Sequence, residues 1–350
     1  MRISRGCIVG GVVGGLVLMA AGYGCSFSAP RYRGPKSDHF DGRRFVNYGH
    51  VEEKSVGDLL RWVTHREPGV WQEWTDAQPG PKPPERVGPG QLRVTFINHA
   101  TTLIQIDGLN VLTDPVWSER VSPVSFAGPR RVRPPGLRFE DLPPIDVVLI
   151  SHNHYDHCDL PTLRRLVDAF HPKIYAGLGN ARLFQKEGID GATDLDWWNE
   201  VTLDHGVTLV AVPAQHFSNR GLSDRNATLW TGFVLQGSRG YAYFAGDSGY
   251  GPHLRMIRER FGPPRVALLP IGAYKPEWFM GPIHMSPVQA LHAAQLLSAE
   301  RAVAIHFGTF NLADDGQDEP VEALRAAMQR EHEPMDRFWV LGFGEGRDIP

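Results

Sequence analysis

From residue 92 onward the apolar positions form short runs, some alternating and some continuous, with helically spaced segments between them. Residues 92–97 alternate and predict a strand. Residues 102–106 and 110–113 continue the pattern on either side of Asp107-Gly108, a turn dipeptide that predicts a hairpin. Residues 146–150 end in an unbroken apolar run, as for a strand buried on both faces. Further strands are predicted over 173–176, 207–212, 230–235, 241–245, 266–269 and 302–305. The 3.6-residue period predicts helices over 161–170, 254–261, 287–297 and 321–330. Ser286 before Pro287 is an N-cap followed by proline at the first helical position. Strands first, then strands mixed with helices, then the same mixture again, predict an α/β protein of layered sheets with helices outside.

Upstream the texture changes. Residues 26–90 are rich in Pro, Gly and charge and read as an N-terminal arm and linker. Leu59-Leu60-Arg61-Trp62-Val63 is the only helical hint there, and Gly80-Pro81-Lys82-Pro83-Pro84 reads as a linker. Trp71 and Trp74 either pack the arm onto the body or are plain linker aromatics. In residues 1–25, Arg2 and Arg5 precede an uncharged run over 6–24, the pattern of a secretory signal. Ala20-Ala21-Gly22-Tyr23-Gly24-Cys25 also resembles a lipoprotein cleavage site. A cleaved signal, a lipoprotein and an uncleaved anchor all place the body in the periplasm or at a membrane of the cell envelope; an accident of composition is the alternative. The expected organisation is 1–25 signal or anchor, 26–90 arm, and one large domain over 91–350.

Composition narrows the function classes. A 42% hydrophobic, 21% charged chain of 350 residues supports a packed core and excludes global disorder. A net charge of −3 argues against a nucleic-acid partner. Three cysteines cannot build a disulfide framework, and Cys158, alone in the body, reads as a packing residue. Histidine stands out, with 15 residues and a cluster.

That cluster is His152-Asn153-His154-Tyr155-Asp156-His157, directly after the strand ending at Ile150. His152 and His154 fall on one side of an extended chain, and Asp156 and His157 come from the following turn. Imidazole and carboxylate are the donors zinc prefers at catalytic sites. A polar loop that is merely His-rich is the alternative. Against it, three more apolar runs end in residues of ligand type, at His216, Asp247 and His306. Strands that deliver such residues to one edge hold them rigidly and leave loops free to admit substrate.

The succession His-x-His-x-Asp-His, then His, Asp and His at later strand ends, resembles the metallo-β-lactamase superfamily. Leu195-Asp196-Trp197-Trp198, Phe244-Ala245-Gly246-Asp247-Ser248-Gly249-Tyr250, Pro270-Ile271-Gly272-Ala273-Tyr274 and Ala304-Ile305-His306-Phe307-Gly308-Thr309-Phe310 narrow the likeness to the N-acylphosphatidylethanolamine-hydrolysing phospholipases D and their bacterial relatives. The resemblance implies an αββα sandwich with two Zn²⁺ at one edge. It implies His152, His154 and His216 on one ion, Asp156, His157 and His306 on the other, and Asp247 bridging. It implies that Asp114 orients a ligand, although a turn aspartate before Pro115 is the alternative, and that His284 faces substrate and assists catalysis beside Asp247. Ile283 stands where the lipid enzymes carry a polar residue. His99 matches the family outside the ligand positions and reads as a hydrogen-bonded structural histidine.

The implied reaction is phosphodiester hydrolysis of an N-acylated phosphatidylethanolamine, giving an N-acylethanolamine and phosphatidic acid. Two dications against two carboxylates leave the centre net positive and attractive to a phosphodiester anion. The alternatives are hydrolysis of a soluble ester, lactone or β-lactam at the same centre, or a metal-binding envelope protein without turnover. A phospholipid substrate requires a membrane surface as partner. Arg130, Arg131, Arg133 and Arg138 offer anionic head groups a basic patch, unless they form internal salt bridges in a solvated loop.

Overall fold

Asp107 and Gly108 both take left-handed backbone angles, φ 49° and 90°, as a two-residue hairpin turn requires. The turn joins β2 (Thr101–Ile106) to β3 (Leu109–Thr113), and β1 (Leu92–Asn98) pairs antiparallel with β2. The chain then switches to parallel pairing. β4 (Val147–Ile150) lies beside β3, and β5 (Lys173–Gly177) and β6 (Ala192–Leu195) follow, with α2 (Leu160–Phe170) and α3 (Asn180–Lys186) as crossovers. An earlier helix, α1 (Val56–Thr64), is capped by a reciprocal Ser55–Asp58 box.

The second sheet begins with antiparallel β7 (Glu200–Thr202), β8 (Thr208–Val212), β9 (Gly232–Gly237) and β10 (Gly240–Phe244). It continues in parallel through β11 (Val266–Pro270), β12 (Arg301–Ile305) and β13 (Phe338–Trp339). Helices α4 (His253–Phe261), α5 (Glu277–Met280), α6 (Pro287–Leu297) and α7 (Glu319–Arg330) fall among them, and β14 (Gly346–Ile349) returns to pair with β1. The result is two seven-stranded sheets, ordered β14-β1-β2-β3-β4-β5-β6 and β13-β12-β11-β10-β9-β8-β7.

The computed structural model describes residues 27–49 and 51–350. The signal or anchor expected over 1–25, with Cys7 and Cys25, lies outside the described residues. Among the described residues no helix is long and apolar enough to cross a membrane.

Side chains alternate across each strand, so each sheet serves two cores. Val94, Phe96, Ile104 and Leu149 face the other sheet, where they meet Leu209, Ala211 and Phe233. Ile97, Leu103, Val148 and Ile150 face outward and pack with Leu163, Leu166 and Phe184 of α2 and α3. Helices α4, α6 and α7 cover the second sheet through Leu254, Ile257, Leu291 and Leu324. This is the expected αββα sandwich. Cys158 is buried in the first sheet's outer cluster, where burial raises its thiol pKa to about 11.

Two expectations need correction. The strand expected over 230–235 starts at Gly232, because Trp230 turns aside to pack with Phe40, Phe45 and Trp197. The linker at Gly80 to Pro84 is tied to the body: Gly80 N–H donates to Gly136 O at 2.7 Å, and Gln105 Nε2 donates to Pro84 O at 2.8 Å. Of the two alternatives for the arginine loop, the structure shows internal contacts for all four residues, with the Arg130 and Arg138 side chains remaining exposed. Arg131 is buried and donates to the carbonyls of Ser118 and Val116, Arg133 stacks on Phe343, Arg130 pairs with Glu119, and Arg138 pairs with Asp141. Of the four, Arg131 alone turns its guanidinium fork to backbone carbonyls among the described residues.

The arm is likewise held. Trp71 Nε1 donates to Asp315 O at 2.8 Å, and Trp62 stacks on Phe279. His39 bridges two carboxylates, with Nδ1 2.6 Å from Asp38 and Nε2 2.7 Å from Asp196. Burial opposes charge on His39, but Asp196 and Asp38 outweigh it and raise the pKa. Its stabilisation is therefore complete below the unfolded value of about 6.5 and fades as pH climbs through the raised folded value. His39→Ala is expected to cost about 2 kcal/mol near pH 6 and clearly less at pH 9. Thermal melts at the two pH values check this; equal losses would exclude the ionic clamp.

Candidate active site

The ends of β3, β4, β8, β10 and β12 meet at one rim of the sandwich. β4 ends at Ile150, and the turn after it carries His152, His154, Asp156 and His157. His216 follows β8, Asp247 follows β10, and His306 follows β12 directly. Donor atoms of His152, His154, His216 and Asp247 all lie within 4.8 Å of one another, as do those of Asp156, His157 and His306 together with His99. Asp247 Oδ2 lies 3.1 Å from His157 Nε2 and 3.7 Å from His216 Nε2, while its Oδ1 lies 3.2 Å from His306 Nε2. One carboxylate thus touches both groups. All seven residues expected as ligands are brought together.

The outer hydrogen bonds fix which ring nitrogen faces inward. Asp114 accepts from Ser151 N–H at 2.7 Å, Ser151 Oγ–H at 2.6 Å and His157 Nδ1–H at 2.7 Å. Ser151 Oγ then accepts from His152 Nδ1 at 2.9 Å, and Ile283 O accepts from His216 Nδ1 at 2.9 Å. His152, His157 and His216 therefore turn Nε2 toward the centre. His154 Nδ1 lies 2.7 Å from His152 Nε2 and 3.3 Å from His216 Nε2. Such outer-shell orientation is characteristic of metal-ligating histidines. Asp114 occupies the orienting position, and the turn-aspartate alternative is set aside by these three bonds.

The inner atoms test whether cations fit. His157 Nε2, His306 Nε2 and Asp247 Oδ1 are buried without a hydrogen-bond partner. Buried polar atoms are normally satisfied, so three orphans within one cluster call for a ligand. Burial holds the His152 and His216 pKa well below the ordinary value, and lowers that of His154 to about 4, which leaves neutral donor nitrogens. Across the cluster burial opposes charge, but Asp247 and Asp156 raise His157 well above its ordinary value and His306 to about 9. Burial would raise Asp247, yet the His157 and His306 charges hold it far below the carboxylate range. The carboxylates thus draw positive charge into this pocket, and the donor set fits divalent cations.

A family model described as "Beta-lactamase superfamily domain" matches residues 109–307. The chain belongs to the metallo-β-lactamase superfamily. It is 37% identical over 261 residues to N-acyl-phosphatidylethanolamine-hydrolyzing phospholipase D 1 of Caenorhabditis elegans, covering 71% of this chain and 73% of that relative. It is 30% identical over 228 residues to a metal-dependent hydrolase of Methanopyrus kandleri, covering 63% of this chain and 85% of the other. A metallo hydrolase of Ignicoccus hospitalis shares the fold, with a TM-score of 0.55 and 24% identity over 74% of this chain and 99% of its own. This superfamily member is a metal-dependent hydrolase.

Backbone strain marks the hydrolase's rim. His99, Asp114 and His306 are non-glycine residues with φ of 46°, 34° and 64°. Gly246, at φ 60°, admits no side chain, since a Cβ there would sit 2.5 Å from Ser151 Cβ. His99 does more than the sequence discloses. Its Nε2 lies 2.9 Å from Asp156 Oδ2, and its carbonyl accepts from His306 N–H at 2.7 Å. Burial holds its pKa down to about 3.

Two further supports escape sequence reasoning. Arg220 Nη1 donates to Asn153 O at 2.8 Å and Cys158 O at 2.9 Å, clipping the histidine loop at both ends. Asn47, from the arm, accepts from His216 N–H at 3.0 Å and donates to His216 O at 2.8 Å. No motif flags Asn47, which lies 169 positions from its partner. Asn47→Leu is expected to weaken metal binding by about 10- to 100-fold, and Asn47→Asp, which keeps the acceptor, by less. Metal titration with a competing chelator checks the order; equal affinity in all three proteins would remove Asn47 from the support.

His284 lies at the same centre. Its Nδ1 is 4.0 Å from Asp247 Oδ2 and is buried without a partner. Burial lowers its pKa to about 4. The cluster opens into a cavity of about 510 Å³ walled by Val56, Leu59, Trp62, Phe279, Met280 and Leu312, with His154, Asp156, Asp247, His284 and His306 on its floor. A cavity of about 630 Å³ lies behind the histidine loop, near Tyr155 and Cys158, and none of the donors lines it.

Proposed function

We propose that this hydrolase cleaves a phosphodiester bond of N-acylphosphatidylethanolamine in the phospholipase D manner, releasing an N-acylethanolamine and phosphatidic acid. The observation that carries the reading is the pair of donor groups sharing Asp247 on the floor of an apolar-walled cavity. The printed activity of the Caenorhabditis elegans relative supports the substrate class.

In this reading His152, His154 and His216 hold one Zn²⁺, Asp156, His157 and His306 hold a second, and Asp247 serves both. Bound dications supply Lewis acidity and make water acidic enough to act as a nucleophile near neutral pH. The chain's own part is to place and orient. Asp114 and Ile283 O fix the ring orientations of His157 and His216. His284 meets a phosphoryl or leaving oxygen at the cavity floor, as hydrogen-bond donor or proton carrier. The apolar wall takes acyl chains. The apolar run over 6–24 would bring the body to a membrane surface of the cell envelope, where the substrate resides.

The test is an assay of the full chain on a panel of N-acylphosphatidylethanolamine, other phospholipids, neutral esters and lactones, with products read by mass. N-acylethanolamine and phosphatidic acid should form, vanish with chelator and return with zinc. Turnover of neutral esters or lactones alone would replace this reading with the soluble-substrate one.

A further inference from the structure

The cavity above the donor cluster is lined by two cations that are not donors, Lys54 and Arg225. Lys54 pairs with Glu52 at 2.8 Å. Arg225 forms no salt bridge with a described residue; its charged surroundings are Glu53 and Arg44, felt at longer range. Its guanidinium lies 4.4 Å over the Phe217 ring. Phe217 in turn packs edge-on against His154, with ring centroids 4.5 Å apart, and lies 4.9 Å from His216. A stacked guanidinium keeps its in-plane N–H groups available, and their fork matches the oxygens of a phosphate. Phe217 thus props an uncommitted cation beside the donor residues.

We propose that Arg225 is the anion-recognition residue of this site: it binds a non-bridging oxygen of the substrate's phosphodiester and selects anionic phosphodiesters over neutral esters and lactones. The proposal rests on the phosphodiesterase reading above and deepens it. Asp156 and Asp247 also line the cavity, but they belong to the donor set, whose cations would offset them. Arg225 is then the one non-donor cation of the cavity wall without an ion-pair partner among the described residues.

The experiment compares the metal-loaded full chain with Arg225→Gln and Arg225→Lys. Glutamine keeps a planar polar group and removes the charge; lysine keeps the charge and loses the fork. KM and kcat are measured on N-acylphosphatidylethanolamine in mixed micelles and on a neutral aryl ester, and inorganic phosphate binding is measured by calorimetry. Arg225→Gln should raise both the phosphodiester KM and the phosphate Kd about tenfold, with a smaller change in kcat. Arg225→Lys should fall between, and the neutral-ester KM should stay within about twofold. Equal KM shifts for ester and phosphodiester, or an unchanged phosphate Kd, overturn the proposal. If no phosphodiester is turned over, the functional reading fails by itself, and the phosphate Kd still decides the role of Arg225.

Discussion

Asp247→Ala is expected to reduce hydrolysis to below about one thousandth of wild type while the sandwich stays folded. Asp247 is the one carboxylate that reaches both donor groups, through Oδ2 to His157 and His216 and through Oδ1 to His306. Its removal leaves His157 and His306 facing each other across a pocket with less negative charge, so cation affinity falls with activity. The core does not depend on it. Val94, Phe96, Leu209 and Phe233 pack the sheets together well inside the rim. Metal content by elemental analysis and far-UV circular dichroism separate the two effects. Wild-type metal content with preserved turnover would refute the shared-carboxylate assignment.

His284→Ala should act differently. The bound metal should be retained, because His284 Nδ1 stands 4.0 Å from Asp247 and the other seven donors remain. Turnover should fall about 10²- to 10³-fold, the range for losing a positioned proton donor or acceptor. Burial lowers the pKa of His284 to about 4, so the ring enters the reaction neutral at ordinary pH, able to donate from one nitrogen and accept at the other. Elemental analysis together with steady-state kinetics decides the point. A variant that loses metal makes His284 a ligand; one that keeps both metal and rate removes it from the reaction.

The sandwich was readable where one face or both faces of an element are buried. The apolar run of β4, the hairpin of β2 and β3 and the amphipathic α2 all lie where the spacing put them. Edge elements were not readable. β6, with Ala192 and Asp194 half-buried and Thr193 exposed, and β7, exposed at both ends, carry mixed polar residues that resemble loop. β13 has two residues and β14 begins at a glycine, so neither offers a period to count. The donors were readable because His152 to His157 are contiguous and the others close apolar runs. Their supports were not. Asn47 and Arg220 act through backbone groups, for which any residue could have supplied the partner. The arginine loop stayed open between two readings because sequence displays a charge but not the carboxylate, carbonyl or ring that it meets.

The grip of Asn47 on the backbone of His216 bears on how this protein is handled at the bench. Trimming to the segment that matches the superfamily, 109–307, keeps all seven donors yet discards Asn47, His99 and the strands β1, β2, β13 and β14. Such a minimal fragment would carry the signature motif intact and still be the wrong specimen, because the arm acts as a splint whose far end is welded to a histidine.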